Sequence, residues 1–259
     1  MRKKPAPRLL EVERACHITP SMVRITFAGD ELEGIPTDRS GGNCKIMLSA
    51  DGQSKDSFAA QLENGPKPVT RTYTVRQFRD DPLEMDIDFV AHGDTGPASR
   101  WASHVKAGDF CGFAGPSPAK LVDFYADWYL IAADMTALPV ACAALEAMPA
   151  DAKGLAVFEV LSVADKQPIT APAGINIHWL ITTQPHTPST AQEDFIRQIA
   201  WPDGRIQTCI AGESSVIRAL RTYVVNEKKV PKEDAYISGY WKIGLIEDEH
   251  QLEKRAESS

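Results

Sequence analysis

Little in the chain speaks for metal or disulfide chemistry. The five cysteines, Cys16, Cys44, Cys111, Cys142 and Cys209, are odd in number and widely spaced, and no two form a C-x-x-C pair. Neither a disulfide framework nor a zinc or iron–sulfur site is suggested, which leaves reduced, mostly buried thiols. His17, His104, His178, His186 and His250 show no ligand spacing such as H-E-x-x-H and read as structural. No stretch approaches the roughly 20 apolar residues of a membrane span. The basic start, Met1 to Leu10, has no apolar run behind it, so a conventional signal peptide is not expected and the cytoplasm is the default compartment. Positive charge is in deficit: Lys and Arg total 28 against 35 Asp and Glu, a net charge of −7. That argues against nucleic acid as the main partner, because phosphate binding needs a net basic face. No G-x-G-x-x-G follows any apolar run, so the fingerprint of a strict Rossmann domain is missing.

What is present is ordinary globular material. A chain of 259 residues, 43% apolar and 24% charged, is long for one domain and comfortable for two. Residues 8–115 read as β. The runs Met22–Ala28, Lys45–Ser49, Thr72–Phe78 and Glu84–Val90 are separated by the turn-formers Gly29-Asp30, Ser40 to Asn43, Asp51-Gly52 and Asp80 to Pro82, a pattern of barrels and sandwiches. One helix is expected at Ala98–Val105. Past Gly115-Pro116-Ser117-Pro118 the pattern changes. Strands at Trp128–Ala132, Leu155–Leu161, Ile177–Ile181, Ile206–Ile210 and Tyr236–Ser238 alternate with helices at Ala137–Met148, Gln192–Ile199 and Val216–Val225, with Asp134 or Thr136 as possible caps and a polar terminal helix at Glu247–Glu257. Alternation of that kind predicts a parallel sheet with helices on it. The expected organisation is a β-barrel domain over 1–120 and an α/β domain over 121–259.

The stretch with most chemical content is Arg71-Thr72-Tyr73-Thr74-Val75-Arg76, followed by Asp88-Phe89-Val90-Ala91-His92-Gly93-Asp94-Thr95-Gly96-Pro97-Ala98-Ser99-Arg100-Trp101-Ala102. The first piece sets a guanidinium, a ring and a hydroxyl on one extended segment. The second is a loop of small residues leading into a helix start. Together they suit a flavin dinucleotide, with arginine and backbone N–H groups for the pyrophosphate and an aromatic ring for the isoalloxazine. On the residues alone, Arg71 as a surface charge, Tyr73 as a plain β-former and His92 as a solvated loop residue stay open.

Those two pieces, with Gly239-Tyr240-Trp241-Lys242-Ile243-Gly244 and more weakly Asp134 to Pro139 and Ala211-Gly212-Glu213, give the chain a wider resemblance. It resembles the siderophore-interacting proteins, flavin-dependent ferric-siderophore reductases related to the ferredoxin-NADP reductases. The resemblance runs over nearly the whole chain. It implies an N-terminal Greek-key barrel holding FAD and a C-terminal α/β domain shaped for a nicotinamide. Arg71 would meet the pyrophosphate, Tyr73 and Thr74 would lie against the isoalloxazine, and Thr72 would be among the cofactor-binding residues. Asp88, Phe89 and Val90 would run beside the ring and ribityl chain, with His92 near the ribityl or adenine half. Gly93, Gly96, Ala98 and Ser99 would wrap the phosphates, with Asp94 and Pro97 also among the cofactor-binding residues and Trp101 and Ala102 following into the helix. Tyr240 and Trp241 would close the flavin site.

An anionic ferric siderophore needs a local basic lining, for which Lys45, Arg76, Arg100 and Lys242 are the candidates. The siderophore itself supplies the iron ligands. On the nicotinamide side the candidates are Asp134, Thr136, Ala137, Gly212 and Glu213. There the family's usual glycine-aspartate-glutamate-threonine-alanine is Ala133-Asp134-Met135-Thr136-Ala137 in this chain. The electron donor is accordingly left as NAD(P)H or a reduced ferredoxin. Two other readings stay beside this one: a general flavin reductase acting on another acceptor, and a siderophore-binding protein without turnover.

Overall fold

Six turn-bounded strands make up most of the first half of the chain. In the computed structural model, which describes residues 6–91, 96–245 and 249, they are β1 (Arg8–Thr19), β2 (Met22–Ala28), β3 (Asn43–Leu48), β4 (Val69–Asp80), β5 (Leu83–Val90) and β6 (Phe110–Ala114). They close into an antiparallel barrel in the order β1-β2-β5-β4-β3-β6, and closure leaves no open sheet edge. β3 shows the local reason. Cys44, Ile46 and Leu48 are buried and alternate with the half-buried Asn43, Lys45 and Met47, the period of two set by a strand's pleat. Leu10, Ile25, Phe27, Ile46, Val75, Ile87, Phe89 and Phe113 belong to the barrel core. Cys44 and Cys111 lie there too. Burial pushes the Cys44 thiol up to about 12 and raises Cys111 as well, so neither is a thiolate at neutral pH.

Two helices accompany the barrel, α1 (Lys55–Asn64) and α2 (Pro97–His104). α2 starts and ends one residue earlier than the sequence indicates. α1 has no counterpart in the sequence reading. Of its residues only Phe58 is buried, so it carries no apolar stripe to detect. Its one local signal is the N-cap Ser54, whose Oγ accepts from Ser57 N at 3.3 Å.

Contact density divides the chain into Met1–Lys120 and Leu121–Ser259. The second unit holds β7 (Trp128–Asp134), α3 (Leu138–Ala147), β8 (Lys153–Val160), β9 (Gly174–Ile181), α4 (Ala191–Gln198), β10 (Ile206–Glu213), α5 (Ser214–Arg221) and β11 (Ala235–Trp241). Its five strands are parallel, in the order β11-β10-β7-β8-β9. Leu130, Val157, Ile196, Ile210, Leu220 and Val224 lie in one of its cores. All eight residues of β10 are buried, as a central parallel strand requires.

Three strands run beyond the apolar segments that mark them in the sequence. β7 continues to Asp134, β10 to Glu213, and β11 takes in Tyr240 and Trp241. Pairing rather than apolarity sets these ends: Asp134 pairs with Glu159, and Glu213 with Trp241. The cap of α3 is Ala137, not Asp134 or Thr136. Asp134 Oδ1 is taken up by the preceding turn, where it accepts from Thr136 N at 2.9 Å and Thr136 Oγ1 at 2.6 Å. The helix expected at Glu247–Glu257 lies outside the described residues, Glu249 apart. Among the described residues no helix is long and apolar enough to cross a membrane.

Candidate functional site

β4 carries the arginine–tyrosine–threonine segment, and its register with β3 decides where each side chain points. Arg71 pairs with Ile46, Thr72 with Lys45, Tyr73 with Cys44 and Thr74 with Asn43. Directly paired residues share a face of the sheet. Arg71 and Tyr73 therefore stand on the face of the buried Cys44 and Ile46, while Thr72 and Thr74 stand on the other with Lys45 and Asn43. The Tyr73 ring packs 4.2 Å from Phe89, which packs 5.7 Å from Trp101. Phe89 is fully buried, so its side chain belongs to the core and only its backbone is left to run beside a ligand. Trp101 lies partly buried against the same core.

Asp88 spends its charge on the protein. Directly opposite it on β2, Arg24 donates Nε and Nη2 to its two carboxylate oxygens at 2.7 and 2.8 Å. The sequence reading missed Arg24. Its signal was a lone charge in the run of β-branched and apolar residues Met22–Ala28. Arg71 Nη1 donates to Thr70 O at 2.9 Å, and Lys45 Nζ donates to Thr72 Oγ1. Arg76 lies where the β4–β5 register shifts, between Val75 and Gln77, a bulge that re-aims its side chain. Arg100 is more than half exposed, with Nη2 3.5 Å from Asp51 Oδ2. Val90, half-buried, ends β5. His92, Gly93 and Asp94 lie outside the described residues.

Two features of the barrel unit fit a flavin dinucleotide. The N-terminus of α2 begins with Gly96 as N-cap and Pro97 in its first turn. Proline has no N–H, so the first amides of the helix come from Ala98 onward, at the positive end of its dipole where phosphate is favoured. The side chains of Ala98, Ser99 and Ala102 are buried, which seats this turn on the barrel. Secondly, Asn43 Oδ1 is buried and has no hydrogen-bond partner among the described residues, on the same face as the buried Thr74. A buried orphan acceptor beside the segment expected to meet the ring is an acceptor a ligand can satisfy. The sequence reading also missed Asn43, since nothing short of the register places it opposite Thr74.

In the α/β unit the nicotinamide-side candidates gather at the carboxyl ends of β7 and β10. Asp134 Oδ2 accepts from Glu213 N at 2.8 Å and from Trp241 Nε1 at 2.8 Å. Glu213 caps α5, its Oε2 accepting from Ser215 N at 2.6 Å and Val216 N at 3.1 Å. Gly212 has φ +149, and a Cβ there would lie 2.7 Å from Asp134 Oδ2. Thr136 is held by Asp134, and Ala137 is fully buried. Burial raises the Asp134 carboxyl from its ordinary value, against its hydrogen bonds from Thr136 and Trp241, which lower it. Tyr240 Oη lies 2.9 Å from Tyr236 Oη, and Lys242 follows the end of β11.

Comparison with known proteins matches both units. Residues 11–120 match the model of the siderophore-interacting FAD-binding domain, and 126–244 that of the siderophore-interacting protein family. The chain belongs to the siderophore-interacting proteins. It is 33% identical over 258 residues to ferric vibriobactin reductase ViuB of Vibrio cholerae, covering 96% of this chain and 94% of that protein. The crystal structure of the siderophore-interacting protein SipS from Aeromonas hydrophila superposes with a TM-score of 0.83 at 32% identity, over 98% of this chain and 99% of SipS. Ferredoxin-NADP+ reductase from Plasmodium falciparum, at 12% identity and a TM-score of 0.64 over 90% of this chain and 96% of that one, shares the fold.

Proposed function

We propose that this protein is an FAD-dependent ferric-siderophore reductase that releases iron by reducing Fe(III) to Fe(II) in the cytoplasm. The observation that carries this reading is an arginine–tyrosine–threonine strand and a helix begun by Gly96 and Pro97 on one barrel, within a domain of the FAD-binding family. In this reading Arg71 and the start of α2 hold the pyrophosphate, the Tyr73 ring and the backbone of Thr74 line the isoalloxazine, and the charge of Asp88 is paired with Arg24. When bound, FAD supplies the conversion of paired electrons into the single electrons that Fe(III) accepts.

The chain's own residues bind and place. Lys45, Arg76, Arg100 and Lys242 supply positive charge for an anionic ferric siderophore on a protein whose net charge is −7. Fe(II) is softer and less highly charged than Fe(III), so hard oxygen ligands hold it less tightly and the metal is let go. No general acid or nucleophile is needed. Reducing equivalents come from NAD(P)H or from a small ferredoxin. The test is a titration of FAD into flavin-stripped protein. Saturation at a single flavin per chain is expected, and a folded protein that takes up no flavin would overturn the proposal.

A further inference from the structure

The parallel sheet of the α/β unit has two edge strands, β11 and β9. An edge leaves a row of backbone N–H and C=O groups unpaired. At β11 that row is interrupted, because Arg221 Nη2 donates to Ile237 O and α5 packs beside the strand. At β9 the ladder shows which groups point outward. Thr182 N donates to Val160 O at 2.9 Å, so the even-numbered residues of β9 face β8 and the odd-numbered ones face away. Of the outward set, Ile175 N turns back to Pro172 O at 3.0 Å. The outward backbone groups of Ile177, Trp179 and Ile181 meet no hydrogen-bond partner among the described residues.

Exposed edges are ordinarily blunted by a charge, a proline, a bulge or a very short strand. β9 carries none of these. Its eight residues include no Lys, Arg, Asp, Glu or Pro, and its register with β8 is unbroken. Only Ile175 among them is buried. The strand is nevertheless held firmly, with adjacent side chains on opposite faces of the sheet: the Trp179 ring packs 5.1 Å from Phe158, and the His178 ring 4.7 Å from Phe195. The flanking chain is uncharged as well. In a chain that is 24% charged, no Lys, Arg, Asp or Glu occurs in residues 167–192. Apolar side chains stand in water at the same end of the sheet. Ile181 is 40% exposed, and Val163, shortly after the end of β8, is 68% exposed.

We propose that β9 is the contact of a homodimer, in which β9 of one copy lies antiparallel to β9 of a second about a two-fold axis and the two α/β sheets become continuous. Charge and symmetry select the occupant. A face without charge offers no complement to an acidic or a basic partner, but it matches itself. Two copies that each carry −7 repel one another, and an uncharged face is where they approach at least cost. Under a two-fold axis the outward N–H groups of each strand meet the outward C=O groups of the other, so the edge is self-complementary. The uncharged run 167–192 matches the roughly 20–30 residues that each side of a standard interface uses. Dimer formation is independent of the reductase reading.

The experiment is sedimentation velocity on the flavin-loaded protein across micromolar concentrations, at low and at high salt. The expected particle has twice the mass of one chain. Its association is expected to tighten as salt rises, because screening weakens the repulsion between like-charged copies. A monomer at every concentration would overturn the proposal, and so would a dimer that salt dissociates. The Asn176→Lys, Ile181→Lys double variant sets like charges along both strands. It is expected to weaken the dimer at least about tenfold, which corresponds to 1.4 kcal/mol. Should that variant not fold, Ile177→Pro removes an outward N–H and leaves the ladder to β8 intact. A folded variant that dimerises as the wild type does would overturn the assignment to β9. Hydrogen exchange on the wild-type protein gives a readout free of substitutions: the Ile177 and Trp179 amides are expected to exchange more slowly as concentration rises. Exchange that is already slow in the monomer would mean that another segment of the chain covers this edge, and would overturn the proposal too.

Discussion

Asp88 and Asp134 both look like groups offered to a ligand, and both are spent inside the protein, Asp88 on Arg24 and Asp134 on Trp241, Glu213 and Thr136. Arg71 has a strand position that sets its guanidinium on the same face as Tyr73, whose ring packs against Phe89. Arg71→Ala is expected to weaken FAD binding by about tenfold to a hundredfold, the usual worth of a hydrogen bond to a charged group. The check is the FAD dissociation constant of the apoprotein, and an unchanged value would remove Arg71 from the phosphate site. On the same barrel, Arg14 and then Arg79 hold Glu84 down to about 2 from an ordinary value of 4.5. A depressed carboxylate stabilises the folded state above its unfolded pKa and loses that contribution as pH falls through the folded one. Glu84→Gln should therefore flatten the acid limb of the stability curve between pH 4.5 and about 2. Denaturant midpoints across that window measure it, and parallel curves for the two proteins would contradict it.

The segments most legible in the sequence were those bounded by strong turn-formers. Gly29-Asp30 ends β2 at Ala28, and Asp80 to Pro82 joins β4 to β5. The apolar starts of β7 and β10 were equally plain. Their polar ends were not, because Asp134 and Glu213 look like loop residues until parallel pairing makes them strand. α1 escaped because a helix burying a single phenylalanine has no period to read. At the candidate site the motif was legible and the register was not. Adjacent residues Tyr73 and Thr74 point to opposite faces, Phe89 turns inward, and Asn43 and Arg24 enter only through their cross-strand partners Thr74 and Asp88. The junction of β7 and β10 gives the prediction that belongs to these elements. Gly212 combines φ +149 with the carboxylate of Asp134 where a Cβ would stand. Gly212→Ala is expected to cost about 1–3 kcal/mol, the usual worth of a strained backbone site, read by equilibrium unfolding. A cost near zero would mean the junction relaxes freely.

Over the molecule as a whole, a charge of −7 sets a problem for the binding of an anionic iron complex, the substrate class proposed above. Only local placement of cations reconciles the two. Lys45→Ala with Lys242→Ala is expected to lower affinity for an anionic ferric siderophore by about tenfold and to reduce its salt dependence, since screened charge attraction is what is removed. FAD loading should stay as in the wild type. Quenching titrations at two ionic strengths check this, and affinity with a salt dependence like the wild type would dismiss the basic lining. The resemblance in sequence, the closed barrel with its parallel-sheet companion, and the family match over both units agree on one chemistry. The measurement that tests it most directly is a single anaerobic turnover. Flavin-loaded protein is reduced chemically, a ferric siderophore is added, and Fe(II) is trapped with a chelator while the flavin absorbance is followed. Return of the oxidised flavin spectrum with about two Fe(II) released per flavin is the predicted result, since a two-electron flavin serves a one-electron metal. A flavin that stays reduced in the presence of the siderophore, with no Fe(II) formed, would contradict the account.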